Sequence, residues 1–252
     1  MTILTKTTSA AAAAALALIL SASAGQASLV NLGPGSFTPL APTIGFDEVP
    51  LGTVNPVYTF AAVPTLGSMT VSFGGNFIGQ AAGGGPPVTL TDHTPTVGSP
   101  LALDPASPHT FTASDGSNPT SPVLSGTPTF NGPISMLFSK PVAGVGLTGG
   151  YFDAVHSTTI EAYDSMGNVL GNLTNSTLGL EFYGLADASG ANVIAGLSFF
   201  ITGPEPAGFA IDNVTFGAKD VIRNPTPEPR TLLLLGFGLA GLALAFKGRA
   251  SA

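Results

Sequence analysis

An all-β fold, built as an antiparallel β-sandwich or jelly roll, is what this sequence predicts, and three observations predict it. Short apolar runs of period two recur along the chain, separated by turn residues. No apolar period of 3.6 residues persists anywhere between residues 28 and 218. Gly and Pro, at 33 and 22 residues, far outnumber the 7 Lys and Arg, so turn chemistry is abundant and long helix-forming side chains are scarce.

The chain opens with a segment outside that fold. Lys6 precedes the apolar run Ala10 to Leu20, and small residues fill Ser21 to Ala27. This is the order of a secretory signal peptide, so residues 1–27 read as a signal helix cleaved between Ala27 and Ser28. The run is shorter than the roughly 20 apolar residues of a stable span, which favours removal over anchoring.

Residues 28–218 read as one β-sandwich domain. Met69, Val71 and Phe73 alternate with Thr70 and Ser72, and Ile134, Met136 and Phe138 alternate with Ser135, Leu137 and Ser139, leaving that strand a wetter side. Val142 to Thr148 comes next. Thr159 to Tyr163 and Val169-Leu170 flank Asp164 to Asn168, which reads as a hairpin turn. Leu178 to Tyr183, Val193 to Ile201 and Phe209 to Phe216 complete a set of about eight strands at the spacing of a sandwich. Between Gly83 and Pro133 the texture changes, with ten prolines in 51 residues. Val88 to Leu90, Leu101 to Leu103 and Thr110 to Thr112 read there as edge strands on long loops, in preference to a disordered linker. Residues 219–226 read as the linker to the C-terminal segment.

Charge and cysteine count remove whole classes of function. Between Ser28 and Ala218 stand 12 acidic side chains and a single base, Lys140, for a formal charge of −11. Nucleic-acid binding needs Lys or Arg against phosphate, so nucleic acid is excluded as a partner, while calcium, neutral glycans and other proteins stay open. Cysteine is absent, which removes disulfides, thiol catalysis, cysteine-held zinc and iron–sulfur clusters. Tryptophan is absent too, leaving Tyr or Phe as stacking platforms.

The C-terminal segment is ordered by type: Pro227-Glu228-Pro229, then Arg230, then Thr231 to Phe246 without a charge, then Lys247 and Arg249. As a helix, 231–246 covers about 24 Å, against a hydrocarbon core of about 30 Å. It is a marginal transmembrane helix, suited to a transient stop, with Lys247 and Arg249 on the cytoplasmic side. The prolines stiffen the chain around Glu228 and display it above the membrane. Gly236 to Gly241 spells the dinucleotide fingerprint G-x-G-x-x-G. It lacks the preceding strand and the distant acid that motif requires, and small residues in a membrane helix account for it. The whole order closely resembles the PEP-CTERM tail of Gram-negative surface and exopolymer proteins. The resemblance implies that 227–252 is a sorting tail. Pro227, Glu228 and Pro229 would be read by an exosortase, a membrane-embedded cysteine transpeptidase, which removes the helix and passes the domain to the envelope or extracellular matrix. Two basic residues stand where several are usual, and Arg230 where a small residue is usual.

Within the domain, Gly208 to Phe216 carries an internal clue. Phe209 and Ile211 share one parity, Val214 and Phe216 the other, and a β-bulge at Asp212-Asn213 would return all four to the core. Near the start, Gly45-Phe46-Asp47-Glu48 sets two acids behind an aromatic. This bracketing resembles jelly-roll carbohydrate-binding modules. The resemblance implies adjacent first and last strands and a structural Ca²⁺ held by Asp47 or Glu48 together with Asp212. From the residues alone, Asp212 and Asn213 equally read as caps of the bulge.

Other candidates are weaker. Asp153 and His156, in Tyr151 to His156, have the chemistry of a base and its partner or of a metal pair, but read as loop residues. His93 and His109 lack ligand spacing and read as solvated. Glu161 with Asp164 or Glu181 would serve a glycosidase only if the fold brought two of them together. Nucleophile-elbow, zincin and Walker motifs are absent. The resulting expectation is a non-enzymatic exported protein with a structural or adhesive role in envelope or exopolysaccharide, touching glycans through exposed Tyr or Phe. The alternatives are a secreted hydrolase acting on polysaccharide and, third, an ice-binding protein, for which no regular Thr array is visible.

Overall fold

The computed structural model describes residues 28–223. Ala27 and the signal segment, the PEP motif at 227–229, the apolar helix 231–246, Lys247 and Arg249 lie outside the described residues.

Fifteen strands succeed one another. They are β1 (Leu29–Asn31), β2 (Thr43–Ile44), β3 (Val57–Val63), β4 (Gly67–Gly74), β5 (Ala81–Gly83), β6 (Thr89–Asp92), β7 (Thr110–Ala113) and β8 (Val123–Gly126). Then come β9 (Ile134–Val142), β10 (Gly144–Phe152), β11 (Thr158–Tyr163), β12 (Val169–Thr174), β13 (Gly179–Asp187), β14 (Ile194–Ile201) and β15 (Ala210–Gly217). One sheet has the order β1-β13-β10-β15-β8-β7, with β2 also paired to β15; the other runs β12-β11-β14-β9-β4-β3; β5 and β6 form a separate hairpin. Every pairing is antiparallel. Among the described residues no helix is long and apolar enough to cross a membrane.

The two large sheets meet through alternate side chains, the geometry of a sandwich. Met69, Val71 and Phe73 of β4, Ile134, Met136 and Phe138 of β9, and Leu197, Phe199 and Ile201 of β14 share one core with Val145, Leu147, Ile211, Val214 and Phe216 of the facing sheet. Phe216 touches Phe60 and Phe138 at 5.3 and 5.2 Å between ring centroids, and Phe199 touches Tyr183 at 5.1 Å and Phe209 at 4.5 Å. Burying each such ring stabilises the fold by about 1.5–3 kcal/mol.

The side of β9 expected to be wet is partly covered. Ser139 is exposed, but Ser135 is fully buried. The cause is the segment 75–108, which crosses the outer face of the β12-to-β3 sheet and packs Phe77 and Leu90 beneath it. Gly196 of β14 allows that approach. A Cβ there would lie 2.7 Å from the Phe77 ring and 2.8 Å from Leu101. Of the proline-rich region, β5 and β6 form the hairpin of this outer layer, while β7 and β8 extend the other sheet.

At the far end the packed chain runs past the expected boundary at residue 218. Lys219–Val221 form a 3₁₀ turn that buries Val221. Ile222 bridges to Phe37, and Arg223 N–H donates to the Ser36 carbonyl at 2.7 Å. At the near end Ser28 accepts a 2.8 Å hydrogen bond from Ala188 N–H, so β1 begins at once after the expected cleavage position.

Candidate functional site

The Asp212 region is built by β15. Between β10 and β15 the register moves from Gly146 opposite Thr215 to Thr148 opposite Asp212, which places one extra residue on β15. Asn213 takes φ +52°, and Phe209, Ile211, Val214 and Phe216 are all buried, as the parity argument for a bulge requires. On its other side β15 changes partner at the same point, pairing β8 at Ala210–Ile211 and β2 at Val214–Thr215. β2 thus lies beside the last strand, with Asp47 and Glu48 in the turn behind it.

Asp212 is fully buried, and its carboxylate accepts from Asn213 N–H at 2.7 Å, Asn213 Nδ2 at 3.0 Å, Asn118 Nδ2 at 3.4 Å and the Thr120 hydroxyl. Burial pushes its carboxyl above the ordinary range; the Thr120, Asn213 and Asn118 hydrogen bonds pull it back, and the Asp47 charge adds to the upward push. Asp47 is exposed, and Glu48 closes its own turn by accepting from Gly45 N–H at 3.0 Å. Calcium takes 6–8 oxygens, whereas Asp212 faces hydrogen-bond donors. Among the described residues no group of three or more His, Cys, Asp or Glu is placed to hold a metal.

Asp153 and His156 are brought onto one loop but not to each other. Asp153 Oδ2 accepts from Ala207 N–H at 3.1 Å, while His156 Nδ1 lies 3.3 Å from the Thr174 hydroxyl. The loop is held from beneath by Glu205 and Asn175, both buried. Glu205 accepts from Asp153 N–H at 2.9 Å and the Ser157 hydroxyl at 2.5 Å; Asn175 Oδ1 accepts from Ser157 and Thr158 N–H at 2.8 and 3.0 Å. The carboxylates named as a glycosidase set are likewise dispersed. Asp164 closes the β11–β12 turn by accepting from Met166 and Asn168 N–H. Glu181, on the opposite sheet, accepts from Ser176 and Thr177.

Glu161 has a different environment. On the outer face of its sheet it stands in one row with Asn172 of β12, Ser198 of β14 and Ser135 of β9. Its side chain is 3 % exposed and accepts from His93 Nδ1 at 3.0 Å. The His93 side chain, at the end of the β5–β6 hairpin, is 50 % exposed and lies nearly parallel to Phe200, 22° between planes and 5.6 Å between centroids. With the carboxylate accepting, the ring hydrogen sits on Nδ1 and the ring orientation is held.

Beneath His93 a polar network ties the outer layer to the sheet. Gln80 Nε2 donates to the His93 carbonyl at 2.8 Å and lies 3.0 Å from Tyr163 Oη and 3.1 Å from Ser198 Oγ, while Gln80 Oε1 accepts from Phe77 N–H at 2.7 Å. Tyr163 also donates to the His93 carbonyl at 2.8 Å, and its phenol is pushed up by burial and then by the Glu161 charge. Between hairpin and sheet lies an open groove of about 650 Å³, bordered by Thr89, His93, Thr159, Glu161, Asn172 and Thr202.

His93 is thus half-exposed, as its loop context suggests, but it is held by Glu161 and Phe200, and Glu161 is buried and paired and so is not an isolated surface acid. The signal that points to a covered face is the apolar run Val193 to Ile201, which puts Phe200 on the parity opposite the core and so marks a strand covered on both faces. Of the four tyrosines only Tyr151 is exposed, at 51 %; Tyr58, Tyr163 and Tyr183 are buried.

No curated protein matches the chain. Among solved structures it is similar to the enzymatically active domain of bacteriophage CBA120 tailspike protein 4, at 18 % identity and a TM-score of 0.27. That match covers 69 % of this chain, which spans 20 % of the phage chain. Residues 225–249 match the family described as the PEP-CTERM protein-sorting motif. Behind its packed all-β domain, the chain carries a PEP-CTERM sorting motif.

Proposed function

We propose that this is an exported protein, cut at Pro227-Glu228-Pro229 by an exosortase after a transient stop in the membrane, whose β-sandwich serves a structural or adhesive role in the envelope or exopolysaccharide and touches glycans. The sorting motif at 225–249 carries the reading, since that motif implies processing by an exosortase and export to the cell envelope or surface. Composition supports it. A domain without cysteine survives oxidising surroundings unchanged, and a strongly acidic surface stays soluble while repelling nucleic acid.

Binding is preferred to hydrolysis. Among the described residues the groove border holds one carboxylate, Glu161, where two-carboxylate glycoside hydrolysis requires a pair. An imidazole oriented by a buried carboxylate is also a general-base arrangement, so a secreted hydrolase built on His93 and Glu161 stands as the second reading. For calcium the plainer reading is adopted, with Asp212 as the cap of its bulge.

Mass spectrometry of the protein from its native host, fractionated by compartment, tests the proposal. The expected product starts at Ser28, lacks Leu235 and is found in the envelope or outside the cell. Leu235 still attached to the mature protein, or the whole chain in the cytosol, refutes it.

A further inference from the structure

We propose that the groove between the β5–β6 hairpin and the outer face of β11, β12 and β14 is a saccharide-binding site that selects neutral sugars against uronic acids, with the His93 ring as its platform. The inference rests on the glycan-contact part of the function proposed above and assigns that contact to a place.

Size, platform, polarity and charge each bear on it. At about 650 Å³ the groove falls in the range of small-molecule sites, about 300–1,000 Å³. Sugar rings bind by laying their C–H face on a planar group while hydroxyls meet side-chain donors and acceptors. His93 supplies the plane. Phe200 backs one face of the imidazole at 5.6 Å, the ring is half-exposed beside the groove, and Glu161 holds it at Nδ1. Its backbone is fixed as well, since the His93 carbonyl accepts from both Gln80 and Tyr163. A platform already locked loses little freedom when a ligand arrives.

The polar partners lie alongside. Asn172 is exposed directly across from Glu161, so an amide donor and acceptor face the groove next to a carboxylate acceptor. The hydroxyls of Thr159 on β11 and Thr202, the residue just after β14, sit 3.1 Å apart. Hydroxyls, an amide and one carboxylate complement the alternating donor–acceptor pattern of sugar hydroxyls. Among the described residues no Lys or Arg borders the groove, and Glu161 places negative charge at its floor within a domain of formal charge −11. A uronate would meet repulsion without a compensating cation, whereas a neutral hexose loses nothing.

Isothermal titration of the full chain in mild detergent with cellotetraose, N-acetylchitotetraose and tetragalacturonate tests the site. Binding of at least one neutral probe is expected, with tetragalacturonate inert. His93→Ala should weaken the neutral probe about tenfold, equivalent to about 1.4 kcal/mol, and Tyr151→Ala should leave it unchanged. Since His93 also latches the outer layer, Asn172→Ala and Thr202→Ala, both exposed, serve as second variants and should each weaken binding while melting like the parent. Failure of both neutral probes to bind overturns the proposal, as does unchanged binding in His93→Ala and Asn172→Ala, loss in Tyr151→Ala, or equal affinity for tetragalacturonate. These outcomes are separable from the sorting reading, because a protein correctly trimmed and exported that binds no sugar refutes the groove alone.

Discussion

Gln80→Leu should loosen the outer layer before it loosens the sandwich. Gln80 is 6 % exposed and sits where the 75–108 segment meets the sheet. Its two Nε2 hydrogens are shared among the His93 carbonyl, Tyr163 Oη and Ser198 Oγ, and its Oε1 accepts from Phe77 N–H at 2.7 Å. Leucine keeps the volume and removes every one of these bonds. The His93 carbonyl still receives the Tyr163 hydroxyl, but Phe77 N–H is left buried without its acceptor. An orphaned buried donor costs about 1–3 kcal/mol and each lost neutral bond about 0.5–1.5 kcal/mol, so a loss of about 3 kcal/mol is expected. For a domain of this size that lowers Tm by roughly 6–12 °C. Native-state hydrogen exchange gives the sharper assay. Amides of 76–104 should lose protection by more than those of β10 and β15, because the defect lies outside the sandwich core. A Tm change below about 2 °C, or uniform loss of protection across both layers, would refute the reasoning that the network is what holds the cover down.

Four further perturbations have defined outcomes. Glu205→Ala removes the acceptor of Asp153 N–H, while the Ser157 hydroxyl keeps the Ala154 carbonyl at 2.7 Å, and should destabilise by about 1–3 kcal/mol, visible in urea denaturation and accompanied by exposure of the 153–157 loop to protease. Asp187 and Glu181 respond to acid in the same direction. Burial raises each carboxyl, but hydrogen bonds from Ser189 and Ala191, and from Ser176 and Thr177, outweigh it and leave both lowered. A depressed folded value stabilises above the unfolded value and is lost as pH falls through the folded one, so Tm should drop from about pH 4.5 downward and Glu181→Gln should flatten that slope. Asp212 works oppositely, since its raised carboxyl costs stability once ionised; Asp212→Asn should therefore gain relative to the parent as pH rises from 4 to 7, measured by melting across that range. Calcium at about 1 mM, the affinity range of extracellular modules, should leave Tm unmoved; a rise abolished by Asp212→Asn would instead restore the metal site.

Strand content was legible because alternation reports which side chains share a face. Met69-Val71-Phe73 and Ile134-Met136-Phe138 sit in the core where their parity put them, and the broken parity of Phe209-Ile211 against Val214-Phe216 located the bulge at Asp212. What alternation does not report is what lies on the other face. Ser135 and Glu161 look like solvent-facing residues in a half-buried strand, and they become buried only because a distant proline-rich segment folds across them. The placement of that segment depends on Gly196, whose missing Cβ leaves room for Phe77, and on Gln80, whose partners lie 13, 83 and 118 residues away in sequence. No local pattern encodes such pairings. The His93–Glu161 contact spans 68 residues and was invisible for the same reason. Asp153 and His156, close in sequence and read as loop residues, do lie on one loop, where each takes a separate partner.

The outer layer poses a physical problem that its composition answers. Secreted domains commonly pin long connections with disulfides, and this chain has no cysteine. Prolines at 86, 87, 95, 100, 105 and 108 narrow the unfolded ensemble of the segment, so less conformational entropy is lost when it docks. Phe77 and Leu90 supply apolar anchors, and Gly75 brings the backbone so close that a Cβ would lie 2.1 Å from the Pro108 carbonyl. The Gln80–Tyr163–Ser198 network then selects one docked register, because any slip leaves buried polar groups unpaired. A wall assembled this way is rigid at its base and open at its rim, where His93 and Thr89 border the groove. The same bonds that replace a disulfide therefore also set the position of the ring proposed to meet a sugar, and weakening the base at Gln80 should weaken binding at the rim without touching a single groove-lining side chain.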